Sequence, residues 1–384
     1  MRRQVEALVA AGWPVDVIAL RQAGEDREGI VAGAHVWRAN VQRHQGAGAA
    51  TYLREYVAFF LAALVRLLRS QPRRRYALVQ VATLPDWLVL AALPLRLTGV
   101  RVLLDLHEAM PDFFATRFPG LARPWSRGLL RAAERASLAA ATHAITANSA
   151  LRERLVRLGT RADRIDVVPN SVSLARFDPA HHATRSFMAD GQLRLVYAGA
   201  LTPTYELDVV LQAIALIRVR RPDLAIRLDL YGRGDAEASL SLLAVELGIS
   251  EAIRFHGRIP IDDVPGAIAQ ADIGLAPTRL NPFTRSSLST KIFEYAAMAT
   301  PVVASRLPLI ERELPRDGIA VYEPGDAESL AARILEAVDE PTARDGRVAA
   351  LLAWVETRSW EVDAARYVGL IERLVSGERT SDSG

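Results

Sequence analysis

The stretch from Pro282 to Ser305 is the most informative for the fold class, and its sequence is PFTRSSLSTKIFEYAAMATPVVAS. Hydroxyl residues just before Lys291 can cap a helix that begins there. Pro301 ends that helix, and a short β-branched run follows at once. A helix that leads directly into an apolar strand is typical of an α/β protein with a buried parallel sheet.

The rest of the chain repeats this alternation of short apolar runs and longer helical patterns. Strands that are apolar on both faces and separated by helices predict parallel, doubly wound sheets. The predicted strands are Val15–Leu20, Ala77–Ala82, Arg101–Leu106, Ala144–Ala147 and Ile165–Val168 in the first half, and Leu193–Tyr197, Ile226–Tyr231, Ile253–His256, Ile273–Pro277, Pro301–Ala304 and Ile319–Tyr322 in the second.

A polar linker between Pro169 and Gln192 separates two halves of similar size. We therefore predict two Rossmann-like domains facing a central cleft: residues 1–184, and residues 185–357 for the nucleotide-sugar side, with a C-terminal helix and frayed tail in residues 358–384. Residues 2–12 have a helical pattern where a doubly wound sheet normally begins with a strand. The first strand is thus expected to be missing, through a miscalled start or a truncation.

Composition excludes several functional classes. The chain has 384 residues, 50% of them hydrophobic, and a formal charge of only +3, so nothing indicates a nucleic-acid partner. With no cysteine, it has no disulfide framework, thiolate zinc site or cysteine nucleophile. The apolar stretch from Tyr56 to Leu68 is too short to span a bilayer. The first residues lack the apolar region and the small-residue cleavage site of a signal peptide, so we expect no secretion. We expect a cytoplasmic protein.

Several nucleotide and metal motifs are absent from the sequence. Gly232-Arg233-Gly234 follows a predicted strand but lacks the third glycine of a dinucleotide-binding turn. No Walker lysine loop occurs, and no two aspartates are separated by one residue. A hydride-transfer enzyme and a metal-dependent sugar transferase are both disfavoured, and we predict no metal and no cofactor.

The predicted helix start at Lys291 can bind a phosphate. Free N–H groups at a helix N-terminus attract anions, and the ammonium of Lys291, the only lysine of the chain, adds positive charge. Glu294 lies on the same face, three residues further on, where it could accept both hydroxyls of a ribose. The structural alternative is a capped helix with an ion pair between Lys291 and Glu294.

The same stretch resembles the signature of the two-domain, retaining family 4 glycosyltransferases, Ser-x-Pro-x-Lys-x-x-Glu-Tyr-x-x-x-Gly-x-Pro-Val-Val. The matching residues are Ser287, Lys291, Glu294, Tyr295, Pro301, Val302 and Val303. Further blocks follow the order of the family: residues 105–108 (DLHE), 168–172 (VPNSV), 197–201 (YAGAL), 229–234 (DLYGRG), 255–259 (FHGRI) and 271–277 (ADIGLAP). The resemblance covers nearly the whole chain.

This resemblance implies a site. Glu294 would hold the ribose, and the backbone near Arg258 and Ile259 would border the base. His107, at a strand end, would face the donor sugar, so His107, Lys291 and Glu294 form the implied catalytic set. Lys291 and backbone N–H groups would neutralise the negative charge of the diphosphate, in place of a metal. The implied donor-binding residues are Gly199, Ala200, Leu201, Gly232, Arg258, Ile259, Arg285, Ser289, Thr290, Lys291 and Glu294.

The chain departs from the family pattern at several positions. The carboxylate usually found eight residues before Glu294 is replaced by Ser286, so Thr284, Arg285 and Ser286 would contact the sugar instead. Tyr205-Glu206 stands where a Lys-Gly pair is usual. Ala299 replaces a glycine, and Ser289 replaces a proline.

The resemblance implies transfer of a hexose-type sugar from a nucleoside diphosphate to a hydroxyl of a glycan or lipid-linked acceptor, with retention and without a protein nucleophile. The alternative is a truncated, non-catalytic protein that keeps nucleotide binding. A nucleotide-sugar 2-epimerase, which shares the two-domain architecture, would need additional carboxylates in the cleft, and this sequence lacks them at the matching places. Arginines flank the apolar helix of the first half, either as a solvated face or as a patch that docks on anionic lipid. They are Arg54, Arg66, Arg69 and Arg73 to Arg75.

Overall fold

The computed structural model of the protein describes residues 1–377, apart from residues 23, 43, 45–47, 84, 122 and 184. Residues 378–384 of the predicted frayed tail lie outside the described residues. The chain divides into two compact units. The first contains residues 1–169 together with the C-terminal segment from Asp363 onward, and the second contains residues 170–362.

The first unit consists of two sheets and the helices around them. Its helices are α1 (Arg2–Ala10), α2 (Ala49–Arg74), α3 (Leu93–Leu97), α4 (Met110–Arg117), α5 (Pro124–Ala140) and α6 (Ser149–Arg157). Its strands are β1 (Asp16–Leu20), β2 (Glu28–Val31), β3 (Ala34–Ala39), β4 (Leu78–Ala82), β5 (Arg101–Leu106), β6 (His143–Thr146) and β7 (Ile165–Val167).

The four strands β4-β5-β6-β7 form a parallel sheet in that order, and β1-β3-β2 form a smaller sheet. β1 pairs with β3 in parallel, whereas β2 and β3 form an antiparallel hairpin that the sequence did not predict. Ala32 and Gly33, at its turn, both have positive φ. An alanine in that conformation is uncommon, so the usual Asn-Gly hairpin signal was missing.

The second unit is built on one parallel sheet. Its strands are β8 (Gln192–Ala198), β9 (Ala225–Tyr231), β10 (Ile253–Gly257), β11 (Ile273–Ala276), β12 (Val302–Ser305) and β13 (Ala320–Tyr322). Its helices are α7 (Leu207–Arg220), α8 (Glu237–Glu246), α9 (Val264–Ala269), α10 (Thr290–Ala297), α11 (Pro308–Glu313), α12 (Ala327–Asp339) and α13 (Pro341–Glu356). The last helix, α14 (Trp360–Ser376), begins in this unit and continues in the first.

The strand order of this sheet is β10-β9-β8-β11-β12-β13. The order reverses between β8 and β11, and ligands of such sheets bind at the carboxyl ends of the strands next to the reversal point. Two apolar cores lie against the sheet, one around α7 and α12 and the other around α10 and α13. The predicted α/β class with parallel sheets is confirmed, whereas α13 was not predicted.

Candidate donor-binding site

Two glycine turns pack against each other at the reversal point of the second unit. β8 and β9 pair in register from Gln192 and Ala225 to Ala198 and Tyr231, so the turns that follow both strands begin at the same level. Gly232 has a φ of +147°, and a Cβ atom placed there would lie 1.7 Å from the carbonyl oxygen of Gly199. Only glycine fits at Gly232, and the contact fixes the shape of the turn beneath it.

The backbone donors of the Gly199 turn are partly used within the fold. The N–H of Gly199 donates to the carbonyl of Tyr231 over 2.8 Å, and that of Leu201 donates to the carbonyl of Arg233 over 3.1 Å. In the described part of the chain, the Ala200 N–H has no acceptor. The N–H groups of Gly199 and Leu201 therefore shape the turn and are not available to a phosphate. Of the three residues, Ala200 is the one whose N–H group could bind a phosphate.

Tyr295 holds α10 against the strands at this point. Its ring packs on Gly274 of β11, where an added Cβ atom would lie 2.4 Å from the ring. The backbone N–H of Ala198 donates to its hydroxyl over 3.3 Å, and the carbonyls of Val196 and Leu275 lie 3.4 and 3.3 Å from that hydroxyl. Tyr295 is fully buried, so the start of α10 is fixed beside the carboxyl ends of β8 and β11.

Lys291 lies in the first turn of α10 and is buried, with 6% of its surface exposed. It forms no salt bridge with any residue that the structure describes, so the alternative of an ion pair with Glu294 is not observed. Its Nζ atom lies 4.9 Å from the ring centre of Tyr197 and 4.2 Å from that of Tyr205. A Cβ atom at Gly199 would lie 2.7 Å from Nζ, so the ammonium touches the glycine turn.

The start of α10 is not capped by a side chain, contrary to the prediction. Ser289 is the N-cap residue but makes no side-chain cap hydrogen bond, and the hydroxyl of Ser287 lies 3.4 Å from the carbonyl of Phe283. The N–H groups of Thr290 and Lys291 have no acceptor among the described residues. Uncapped N–H groups next to a buried ammonium form an arrangement that binds anions. Glu294 is half-buried one turn further along α10.

The Tyr205-Glu206 pair has two separate roles. The Tyr205 ring contacts the Lys291 ammonium, a contact that the sequence did not indicate because the two residues are far apart in the chain. Glu206 is buried and accepts hydrogen bonds from the Tyr322 hydroxyl and the Gly325 N–H, both over 3.0 Å. Burial raises the pKa of the Glu206 carboxyl. Glu206 therefore ties the end of β13 to the start of α7.

The remaining predicted donor residues lie on loops at the same edge of the sheet. Arg258 is exposed and Ile259 is half-buried, directly after β10, and the Gly257 carbonyl accepts a hydrogen bond from the Gly232 N–H over 2.8 Å. Arg285 is exposed in the 3₁₀ helix before α10. Arg233, which the sequence did not single out, adds an exposed guanidinium whose Nε lies 3.6 Å from a Cβ placed at Gly257.

His107 belongs to the first unit and follows β5. Its Nε2 atom lies 3.2 Å from Oδ1 of Asp105, and its backbone N–H donates to the Thr83 hydroxyl over 3.2 Å. Asp105 is buried and accepts hydrogen bonds from the side-chain amides of Gln4 and Gln80. This buried carboxylate orients the imidazole at the carboxyl end of the strand.

Two further features lie apart from this arrangement. A surface cavity of about 430 Å³ lies at the amino end of β6, opposite to the end that His107 follows, and is lined by Arg135, His143 and Arg164 among others. Within the described residues, no group of three or more His, Asp or Glu side chains is arranged to hold a metal ion.

Two family models match the chain. The model of the glycosyl transferase 4-like domain matches residues 1–171, and the model described as glycosyl transferases group 1 matches residues 192–340. The chain belongs to the family 4, group 1 glycosyltransferases. The second match contains the Gly199 turn, Lys291 and Glu294, and the first contains His107.

Curated relatives match over part of their length. A D-inositol 3-phosphate glycosyltransferase of Pseudarthrobacter chlorophenolicus is 29% identical over 226 residues, which cover 57% of this chain and 52% of the relative. A GDP-mannose-dependent monoacylated alpha-(1-6)-phosphatidylinositol monomannoside mannosyltransferase of Corynebacterium glutamicum is 29% identical over 215 residues, covering 53% and 55%. The chain therefore spans about half the length of the curated relatives it matches.

Solved structures show the same fold at low sequence identity. Sucrose-phosphate synthase of Thermosynechococcus elongatus is 18% identical, with a TM-score of 0.77 over 98% of this chain and 93% of the other. HepE of Anabaena in complex with UDP-glucose is 14% identical, with a TM-score of 0.67 over 94% and 99%. The chain has the GT-B fold of these structures.

Proposed function

We propose that this chain transfers a hexose-type sugar from a nucleoside diphosphate donor to a hydroxyl of a glycan or lipid-linked acceptor, with retention of the anomeric configuration. The observation that carries the proposal is the start of α10. There a buried ammonium with no acidic partner among the described residues, two unpaired N–H groups and the Glu294 carboxylate lie within one turn of helix. This combination has the charge and the hydrogen-bond acceptor that a nucleoside diphosphate needs.

The roles follow from the chemistry of the groups. Lys291, the N–H groups of Thr290 and Lys291, and the Ala200 N–H stabilise the negative charge of the diphosphate as the bond to the sugar breaks. Glu294 accepts the two ribose hydroxyls. In this proposal the positive charge replaces a metal ion, and the leaving phosphate assists the incoming hydroxyl, so no protein nucleophile takes part. His107, oriented by Asp105, contacts the donor sugar.

The acceptor is the part of the proposal that rests on relatives. One relative is named for an inositol phosphate and another for a phosphatidylinositol mannoside, which is a lipid. From these names we infer that the acceptor of this chain is a glycan or a lipid-linked glycan. We also infer that the chain makes peripheral contact with the inner face of an anionic membrane. Among the described residues, no helix has the length and the apolar character to cross a membrane. The proposed donor is a UDP sugar or a GDP sugar, since HepE was solved with UDP-glucose and the mannosyltransferase is named for GDP-mannose.

Calorimetric titration of UDP, GDP, UDP-glucose and GDP-mannose into the purified chain tests donor binding. We expect saturable binding of the nucleotides that carry one of the two bases, uracil or guanine. We also expect slow release of the corresponding nucleoside diphosphate from its sugar nucleotide in the presence of EDTA. Binding without any turnover, with a range of glycan and lipid acceptors, would favour the non-catalytic alternative. Absence of binding to both bases would overturn the proposal. NMR of the product anomer tests retention.

A further inference from the structure

A group of polar side chains lies behind His107 in the first unit. They come from four separate elements: Gln4 from α1, Gln80 from β4, Asp105 from β5 and Tyr367 from the part of α14 that belongs to this unit. Gln4, Asp105 and Tyr367 are 6%, 2% and 1% exposed, and Gln80 is half-buried. Buried polar atoms are costly unless each has a hydrogen-bond partner. These side chains meet that need by bonding to one another.

The pairing of β4 with β5 places three of the groups on one face of the sheet. The two strands are parallel, with Ala82 opposite Asp105, so Gln80, two residues before Ala82, points to the same face as Asp105. His107 follows Asp105 by two residues, and its ring lies against the Asp105 carboxylate. The spacing in the sequence thus brings an amide, a carboxylate and an imidazole together at one end of the sheet.

The hydrogen bonds of this network have a fixed direction. A carboxylate only accepts, so Gln4 and Gln80 both present their amide nitrogens to Asp105, at 3.0 and 2.9 Å from Oδ2. The Gln80 nitrogen also donates to the Gln4 oxygen over 3.2 Å. The Gln80 oxygen accepts from the Tyr367 hydroxyl. Reversing the Gln80 amide would set its oxygen against the carboxylate, so Asp105 and Tyr367 together fix its orientation.

The network determines which carboxylate oxygen faces the imidazole. Both amides bond to Oδ2 of Asp105, and Oδ1 lies 3.2 Å from Nε2 of His107. Because that oxygen only accepts, Nε2 carries a proton, and the ring is held in one orientation. The carboxylate cannot turn away from the imidazole without breaking its bonds to two amides. The position of the His107 ring therefore depends on the groups that anchor Asp105.

We propose that Gln80 and Tyr367 are positioning residues, which act through Asp105 to hold the His107 imidazole in the orientation that its role at the donor sugar requires. The inference rests on the proposed function for what His107 does, whereas the network belongs to the first unit alone. Tyr367 comes from the C-terminal segment that returns to this unit, so the last helix would take part in orienting His107. The alternative role is structural, in which the same bonds only satisfy buried polar groups.

Kinetics of nucleoside diphosphate release from the sugar nucleotide that the chain binds test this role. Tyr367→Phe removes one hydroxyl and keeps the ring in the core. We expect it to lower kcat about fivefold with KM unchanged, because a loosened imidazole weakens the transition state more than substrate binding. Gln80→Leu removes the bond to Asp105 itself and should lower kcat further, by about twentyfold. Affinity for UDP or GDP should stay that of the wild type in both variants.

Tyr76→Phe is the matched control. Tyr76 lies in the same unit, and its hydroxyl donates to Asp16 over 2.6 Å, so this variant loses the same atom and a comparable hydrogen bond. It should turn over like the wild type. An equal loss of kcat in Tyr76→Phe and Tyr367→Phe would assign the effect to general loosening of the first unit and overturn the proposal.

A double-mutant cycle with His107→Gln separates positioning from a structural role. If Tyr367 acts through His107, Tyr367→Phe should slow the wild type but leave the residual rate of His107→Gln within about twofold. A structural role predicts the same slowing in both backgrounds, and that result would refute the positioning role. Circular dichroism checks that all variants are folded.

NMR without any substrate keeps this proposal separate from the proposed function. The chain has seven histidines, and with ¹⁵N-labelled histidine the ring signals of His107 are those that His107→Gln lacks. We expect one set of signals with a proton on Nε2, which shifts and broadens in Tyr367→Phe and stays unchanged in Tyr76→Phe. This result in a chain without turnover would leave the positioning of the imidazole standing and remove the proposed reaction. Identical His107 signals in the wild type and Tyr367→Phe would contradict the proposal.

Discussion

The ammonium of Lys291 lies 4.2 Å from the centre of the Tyr205 ring. A cation above an aromatic face is attracted by the ring's quadrupole, which is partially negative at the face, and the attraction is stronger where water is excluded. Tyr205 is the first residue of the Tyr205-Glu206 pair, which stands where the pattern that this chain resembles usually has lysine and glycine. In this chain the ring lies against the buried lysine next to the glycine turn, so a neutral residue would position Lys291 at the proposed phosphate site.

Replacing Tyr205 by leucine should weaken the binding of UDP or GDP by about fivefold, which corresponds to a cation–π contribution of about 1 kcal/mol. Tyr205→Phe keeps the ring and should bind like the wild type. Calorimetry on both variants measures the difference. Equal affinity of the leucine and phenylalanine variants would show that the ring does not position Lys291.

The Glu294→Ala variant should lose measurable binding of the donor nucleotide, because the ribose hydroxyls lose their acceptor. Glu246→Ala removes an exposed carboxylate at the end of α8, in the same unit, and should leave affinity unchanged. Circular dichroism checks that both variants are folded. Undiminished affinity of Glu294→Ala for UDP-glucose or GDP-mannose, whichever the wild type binds, would remove Glu294 from the site.

Asp86 should make the stability of the first unit depend on pH. It is 1% exposed, and neither of its carboxyl oxygens has a hydrogen-bond partner among the described residues. Burial, helped by the nearby Glu134, raises the pKa of Asp86 to about 7. Between about pH 4 and pH 7 the carboxyl is protonated in the folded chain but ionised in the unfolded one, so rising pH favours unfolding.

The Asp86→Asn variant lacks this ionisation. Its free energy of unfolding relative to the wild type should therefore increase between pH 4 and pH 8, by about 4 kcal/mol at most. Urea unfolding followed by fluorescence at both pH values measures the change, and the pH 4 value serves as the internal control. A difference between variant and wild type that does not change with pH would show that Asp86 is ionised in the folded chain.

Ala299 should be a site where glycine stabilises the fold. It follows the end of α10 with a φ of +51°, in the left-handed region that costs a non-glycine residue about 1 kcal/mol. Ala299→Gly should raise the free energy of unfolding by about 0.5–1 kcal/mol, measured by urea titration. Ala332→Gly, at an exposed position inside α12, should lower it by about 1 kcal/mol. Destabilisation by both substitutions would contradict the strain at Ala299.

The strands other than β2 and β3, and also α10, could be predicted because apolar runs and helix periodicity depend on nearby residues alone. The signature segment likewise indicated Lys291 and Glu294 on one helix face. The cation–π contacts of Lys291 could not be predicted, since Tyr197 and Tyr205 come from other segments of the chain. The same limit applies to the uncapped Ser289, whose hydroxyl could have bonded the helix N-terminus.

The sequence also could not predict that one apolar side of α2 is exposed. The helix is apolar on two sides, and only packing distinguishes Ala63 and Leu67, which face the protein, from Leu61 and Val65, which do not. The hairpin at Ala32 was not predicted for a different reason. Its turn uses an alanine with positive φ instead of asparagine.

The most direct test of the central claim, that the start of α10 binds the diphosphate of a sugar nucleotide, is the Lys291→Arg variant. The charge is kept, but a guanidinium is broader and planar, and the ammonium already touches Gly199 between the rings of Tyr197 and Tyr205. We predict that titration of UDP and GDP shows at least about tenfold weaker binding than the wild type, with a matching loss of diphosphate release from the sugar donor. Wild-type affinity and turnover in Lys291→Arg would contradict the account.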